Sequence, residues 1–263
     1  MYFITDCQDA NPIVTETITS GVASHIVKTL AKNPSLAPIC LKAIGNLLTG
    51  DNNDIDELLY YGVIEVLEGF LDSPILIHQK EAVWALSNIA AGSRSHVERL
   101  IISNAFIKVL KKIKNLAKIN LEILLECIWT LSNAISGCDI ELSIKLLDME
   151  VLQIFIHIFD RIDNDLSLVI ALNGLNSLFR FGEPMKQLMC GDGNAKNPIV
   201  EKFCYYGGHV YLEKLMNNKS SEVYNKTDEI VRQYFNFEDY DAVNIDYENN
   251  NNNGNTNDNA NNN

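Results

Sequence analysis

Apolar positions along the first 235 residues of the chain step by threes and fours rather than by twos. In 119–136, Leu124, Ile128, Leu131 and Ile135 are spaced 4, 3 and 4 apart, which draws one buried stripe down a helix. Val83, Leu86 and Ala90 do the same in 75–91. No run alternates cleanly over strand length between hairpin turns, so the pattern predicts an all-α chain. Breakers cut it into triplets, each with a short helix, a second helix and a long third one. Gly62, Ser73-Pro74 and Gly92 bound helices at 54–61, 63–72 and 75–91. The following triplets fall at 95–103, 105–115 and 119–136, then at 139–149, 151–161 and 165–181. After Pro198 a last one reads 198–206, 209–217 and 220–235.

The polar positions repeat as well. Ser87-Asn88 follows four residues after Trp84, and Ser132-Asn133 follows four residues after Trp129, so both tryptophans of the chain sit in one pattern. Residues i and i+4 share a helix face. Asn46 holds the same place one triplet earlier; the steps from 46 to 88, 88 to 133 and 133 to 177 are 42, 45 and 44 residues. A period of this length is the signature of armadillo or HEAT repeats. The expected fold is therefore an armadillo-type solenoid, a right-handed superhelix of about five repeats. Stacking would line up Asn46, Asn88 and Asn133 along a concave inner surface, with Trp84 and Trp129 between them. One Trp-x3-Asn pair is ordinarily a half-buried ring and a solvated amide. Two in register with a third Asn point to a binding surface. In the fourth repeat Asn173 and Ser177 replace Trp and Asn, and packing is the better reading for both.

An extended peptide exposes a backbone N–H and C=O at every residue, and an Asn amide offers two donors and an acceptor to meet them. An Asn ladder thus holds backbone without choosing sequence. Choice would come from neighbouring indoles, whose slot accepts the methylene stem of Lys or Arg while the ring face attracts the cation, worth roughly 0.5–2 kcal/mol. Glu81 and Glu126 are the carboxylates nearest in sequence to catch the cationic head, with Lys80, Ser87 and Ser132 beside them.

Charge agrees with a basic partner. The net charge is -13, from 34 acidic and 21 basic residues, which disfavours direct nucleic-acid binding. The run Lys108, Lys111, Lys112, Lys114, Lys118 falls on a second helix and its exit, where a solvated outer face is expected. Cys7, Cys40, Cys127, Cys138, Cys190 and Cys204 form no Cys-x2-Cys pair and read as reduced core thiols of an intracellular protein. The five histidines show no metal spacing, so no metal, cofactor or enzymatic site is expected. Gly191-Asp192-Gly193 follows no strand and reads as an insert. The opening residues lack a signal-peptide pattern, and the longest apolar stretch, near Val151–Phe159, is far below the ~20 residues of a membrane span. After Phe235 come Glu238, Asp239, Asp241, Asp246 and Glu248, then an almost pure Asn tract. The division expected is 1–236 for the repeat domain and 237–263 for a disordered tail.

Several segments carry a family resemblance. They are Leu41-Lys42-Ala43-Ile44-Gly45-Asn46 with Thr49-Gly50, Gln79-Lys80-Glu81-Ala82-Val83-Trp84, Tyr206-Gly207-Gly208, Glu222-Val223-Tyr224 and Tyr234-Phe235. With them the chain resembles the C-terminal half of importin-α (karyopherin-α), the nuclear-import adaptor of cytoplasm and nucleus. The resemblance implies that Trp84/Asn88 and Trp129/Asn133 form the minor site for basic nuclear localisation signals. Lys42 stands where the family has Arg, which keeps the charge and loses the planar fork. Phe3-Ile4-Thr5-Asp6 looks like the end of an earlier repeat's third helix. On that reading the importin-β-binding segment and most of the major signal site are missing, and importin-β is not expected to bind this chain alone. The family's export receptor binds the last repeat and the acidic stretch after it, which gives Glu238, Asp239 and Asp241 a candidate role. An armadillo scaffold without transport activity is the alternative.

Overall fold

Most helices begin at a short polar side chain or a left-handed residue, and α3 and α6, which start after Leu36 and Ile75, are exceptions. The computed structural model describes residues 12–116, 119–189 and 196–235, and the regular elements among them are all helices. The first triplet is α1 (Pro12–Thr19), α2 (Val22–Lys32) and α3 (Ala37–Leu47), with a 3-10 turn at Pro34–Leu36 before α3. The second is α4 (Asn52–Tyr60), α5 (Val63–Glu68) and α6 (Leu76–Ala90). The third is α7 (Arg94–Ile101), α8 (Asn104–Lys114) and α9 (Leu121–Ser136). The fourth is α10 (Ile140–Asp148), α11 (Val151–Arg161) and α12 (Asp165–Met189), and the fifth α13 (Pro198–Tyr205), α14 (Gly208–Leu215) and α15 (Ser221–Tyr234). Third helices pack on third helices from α3 to α15, and second helices on second helices from α2 to α14. The product is an armadillo-repeat solenoid with one continuous apolar core.

The turn into each second helix needs a left-handed residue in four of the five repeats. Gly21, Gly62 and Gly207 supply it, and the fourth repeat uses Glu150 at φ 63°. An L-residue there costs roughly 1–2 kcal/mol against a helical conformation. Polar capping ties the first helices together. Ser93 N–H donates to Nδ1 of the fully buried His96, so the proton sits on Nε2, which donates to Asp56 Oδ1 at 3.0 Å. One imidazole thereby closes the start of α7 and fastens it to α4.

Cross-repeat ion pairs run over the outer surface. Arg94 reaches Asp139 and Glu141 of the next repeat as well as Glu98, and Lys145 closes the ring through Glu98 and Glu141. The basic run expected to be a plain solvated face is largely engaged. Lys108 pairs with Glu68 and Asp72, Lys112 with Asp72 and Gln79, and Lys114 with Glu150. Lys118 lies outside the described residues.

Two expectations are corrected. The helix expected to stop near 181 continues to Met189, through Pro184. Asn197 explains the stretch around its expected end: its amide donates to Phe179 O and Glu183 Oε1, both at 2.8 Å, and its oxygen caps α13. A Cβ on Gly182 would lie 1.8 Å from that oxygen, so only glycine admits the amide. The stripe of α9 is also wider than its spacing indicates. Ile123, Glu126, Cys127, Thr130, Ser132 and Ala134 are buried with the four apolar positions. An internal third helix is covered by α6, α8 and α12 at once, which leaves it a single open strip.

Candidate inner-groove site

That open strip is where the predicted residues fall. On α3 it is Ile39, Lys42 and Asn46; on α6, Ile77, Glu81, Trp84 and Asn88; on α9, Glu122, Leu125, Trp129 and Asn133. On α12 it is Leu166, Asn173, Ser177 and Arg180. Helical spacing and three-sided burial produce these strips, and stacking sets them side by side.

The amides are pinned. Asn88 Nδ2 donates to Gly45 O at 3.0 Å, and Asn133 Nδ2 donates to Ser87 O at 3.1 Å. Each side chain therefore bridges to the preceding third helix, and its carbonyl oxygen and second N–H remain for a ligand. Asn46 is exposed, and none of the three sinks into the interhelical core. Trp84 lies against α3: a Cβ on Gly45 would fall 2.1 Å from its Cζ3. Trp129 is half-buried and packs against the core. Lys42, in the Trp register of the first repeat, is exposed.

Charge gathers at the seam between α6 and α9. Lys80 Nζ pairs with Glu122 Oε2 at 2.8 Å, and that bond, with the charges of Glu126 and Glu81, holds the lysine above its ordinary pKa. Glu81 is half-buried beside them. Glu126 is the surprise. It was expected at the groove edge, yet only 7% of it is exposed. Burial pushes its carboxyl up to about 7, with Glu81 and Glu122 adding to the rise and Lys80 opposing it. Ser87 and Ser132 likewise lie beneath the surface: their hydroxyls donate to Trp84 O and Ile170 O, so they support the strip.

Two contributors escaped the sequence reading, although the first of them stands a full repeat from its partner. Glu122 stands 42 residues after Lys80, and Gly45 stands 39 before Trp84. Beyond α9 the strip loses both rings and the buried carboxyl, since Ile170 replaces Glu126. Asn176 Nδ2 leans toward Glu229 Oε1 at 3.5 Å instead. Glu238, Asp239, Asp241, the opening segment 3–6, Gly191–Gly193 and the Asn tract lie outside the described residues.

Other chemistry is sparse. Burial holds the thiols of Cys127 and Cys138 up at about 12, and raises that of Cys40, so none is a ready nucleophile. Among the described residues, no group of three or more His, Cys, Asp or Glu is placed to hold a metal, and no helix is long and apolar enough to cross a membrane.

Comparison with known proteins follows the same lines. The family model for the Armadillo/beta-catenin-like repeat matches residues 51–91, the second repeat. Importin subunit alpha-2 of Oryza sativa subsp. japonica is 28% identical over 220 residues, covering 78% of this chain and 38% of the relative. Importin subunit alpha-1a of the same rice is 26% identical over 236 residues, covering 89% of this chain and 43% of the relative. The chain thus spans less than half the length of these relatives. Among solved structures, a designed armadillo repeat protein in complex with the peptide (KR)4 superposes with a TM-score of 0.71 at 24% identity, covering 88% of each chain. At that identity the likeness is one of fold.

Proposed function

We propose that this importin-α-like armadillo-repeat protein is a nuclear-import adaptor, or the cargo-binding half of one, working between cytoplasm and nucleus. Its groove would hold Lys/Arg-rich localisation signals extended across α3, α6 and α9. The observation that carries the reading is the paired strip: Trp84 with Asn88 and Trp129 with Asn133, open in equivalent places, each amide pinned by the preceding helix. The importin relatives and the (KR)4 peptide held by a designed protein of like fold support it.

The division of labour follows from the geometry. Asn46, Asn88 and Asn133 grip backbone, and two of them are pre-oriented, which lowers the entropy cost of binding. Trp84 and Trp129 take the aliphatic stems of basic side chains, and Glu81, Glu122 and Glu126 attract their heads. Lys42 places a positive charge where the next two repeats have a ring, so cationic side chains are read between α6 and α9. The net charge of -13 steers basic peptides toward the protein. An export-receptor contact at Glu238, Asp239 and Asp241 belongs to the same reading.

Calorimetry with a capped peptide alternating Lys and Arg tests the groove, with an acidic peptide of equal length as control. The basic peptide should bind and the acidic one should not. Gly45→Ala, which touches no ligand group, should weaken binding about tenfold by displacing the Trp84 ring, the loss of one good contact. Equal affinity for the two peptides would sink the proposal. Pull-down of importin-β beside a basic-signal peptide then separates the readings: binding of both marks a complete adaptor, and binding of the peptide alone marks the cargo-binding half or a scaffold.

A further inference from the structure

Glu126 is buried at the seam of two repeats and makes no ion pair with any described residue, although a lysine stands close by. Three carboxylates, Glu81, Glu122 and Glu126, lie around the cation of Lys80 there. Glu122, the exposed one, takes it at 2.8 Å. The buried one feels the charge of that lysine without forming an ion pair with it. Glu126 also lies one helical turn before Trp129, and Lys80 one turn before Trp84, so each stands beside a ring of the strip.

We infer that seating a Lys or Arg head at this seam expels a proton from Glu126, so that the groove exchanges a proton for a basic side chain. The inference rests on the reading of the groove given above. The exchange balances: the protonated carboxyl releases H+ to the solvent, and the carboxylate that remains pairs with the arriving ammonium or guanidinium. No other group changes its charge.

The surroundings of Glu126 leave it this role. From α6 come Lys80 and Glu81, and from its own helix Glu122. From α8 comes Lys112, whose Nζ is held by Gln79 at 3.0 Å and whose charge acts on the neighbouring Cys127. From α12 come Ile170 and Gly174, both uncharged, packed at Ser132. Burial at the seam therefore holds the Glu126 carboxyl up at about 7. A cation in contact lowers a carboxyl pKa by roughly 1–3. Between the two values the free protein holds more proton than the complex, so affinity rises with pH.

The test uses the whole chain and a capped, histidine-free peptide alternating Lys and Arg, which does not itself titrate in this range. Binding should be about tenfold tighter at pH ~8 than at pH ~6, for a pKa that falls by about 2 on binding. The binding heat measured in buffers of different ionisation enthalpy should reveal proton release near pH ~7, a wild-type measurement that needs no variant. Glu126→Gln, an uncharged stand-in for the protonated acid, should bring both the pH ratio and the released proton close to nothing. Wild-type binding without proton release, or pH coupling that survives in Glu126→Gln, overturns this inference and leaves the groove standing. Absence of peptide binding at both pH values overturns the groove and the exchange together.

Discussion

The third helices of repeats two and three share a scaffold with that of repeat four, yet they offer a ligand different surfaces. α6, α9 and α12 each stack between neighbouring third helices and each keep one open strip. On α6 and α9 that strip carries Trp, Asn and carboxylates. On α12 the same register carries Asn173, Ser177 and Ile170. Stacking needs only the buried faces, so the strip can change wholesale while the solenoid continues. On the proposed reading, recognition would be a property of a few side chains laid on a uniform support.

The largest effect that would break the comparison concerns the rings. Trp84→Ala with Trp129→Ala should cost a basic peptide ~4 kcal/mol or more, about 2 for each anchor, whereas Asn173→Ala should change affinity little. Calorimetry that finds the double variant binding like the wild type would remove the distinction between α9 and α12.

The second expectation contrasts Glu126 with Ile170. In the fold Glu126 keeps its proton up to about 7, where the unfolded chain has released it above about 4.5. Its share of stability is therefore full below about 4.5 and lost as pH rises to about 7. Chemical unfolding should show a decline of roughly 2–3 kcal/mol across that window, since each pH unit between the two values is worth about 1.36 kcal/mol. Glu126→Gln should flatten it, and an unchanged slope in that variant would place the titration elsewhere.

How much of this was legible in the sequence depends on what each residue does. The triplets and the ladder were, because helical spacing and the 42–45-residue step are written in residue types. Burial against a third element was not. Nothing in Leu125-Glu126-Cys127 says that a carboxylate one turn from a half-buried ring is covered by a neighbouring helix. Nor did Gly182-Glu183-Pro184 disclose that a helix passes through it, since it is Asn197, at the start of the next helix, that bonds there. Ser87 and Ser132 were grouped with the groove by adjacency and instead face beneath it.

The third expectation separates pinned amides from an open one. Asn88→Ala takes from Gly45 O the amide that bridges to it and should destabilise the fold by about 1–2 kcal/mol, whereas Asn133→Ala should cost less, because Ser87 O still accepts from Ala91 N–H. Asn46→Ala should be near neutral for stability. Both pinned variants should also weaken basic peptides of different sequence by similar factors, because an amide that grips backbone does not choose side chains. A selective loss for one peptide would show that it does.

The smallest effect lies in the fourth repeat itself. Glu150→Gly would give α11 the residue that begins α2, α5 and α14, and should raise the midpoint of thermal unfolding by an amount worth ~1 kcal/mol, less the exposed pair with Lys114. A fall in the midpoint would mean that the ion pair outweighs the backbone strain.

The pinned amides also set a ruler. Having given one hydrogen to its neighbour, each retains one donor and one acceptor, which is what a single residue of an extended strand presents to one side. The next residue turns its N–H and C=O the other way, so a strand held here meets an amide at every second position. Two such residues advance about 6.7 Å, while packed helices sit roughly 8–10 Å apart. Only a surface bent inward brings those two lengths into step. On the proposed reading curvature is a condition of register, and a ligand long enough to reach Asn46 as well as the two pinned amides would report the bend of the solenoid by how well its spacing fits.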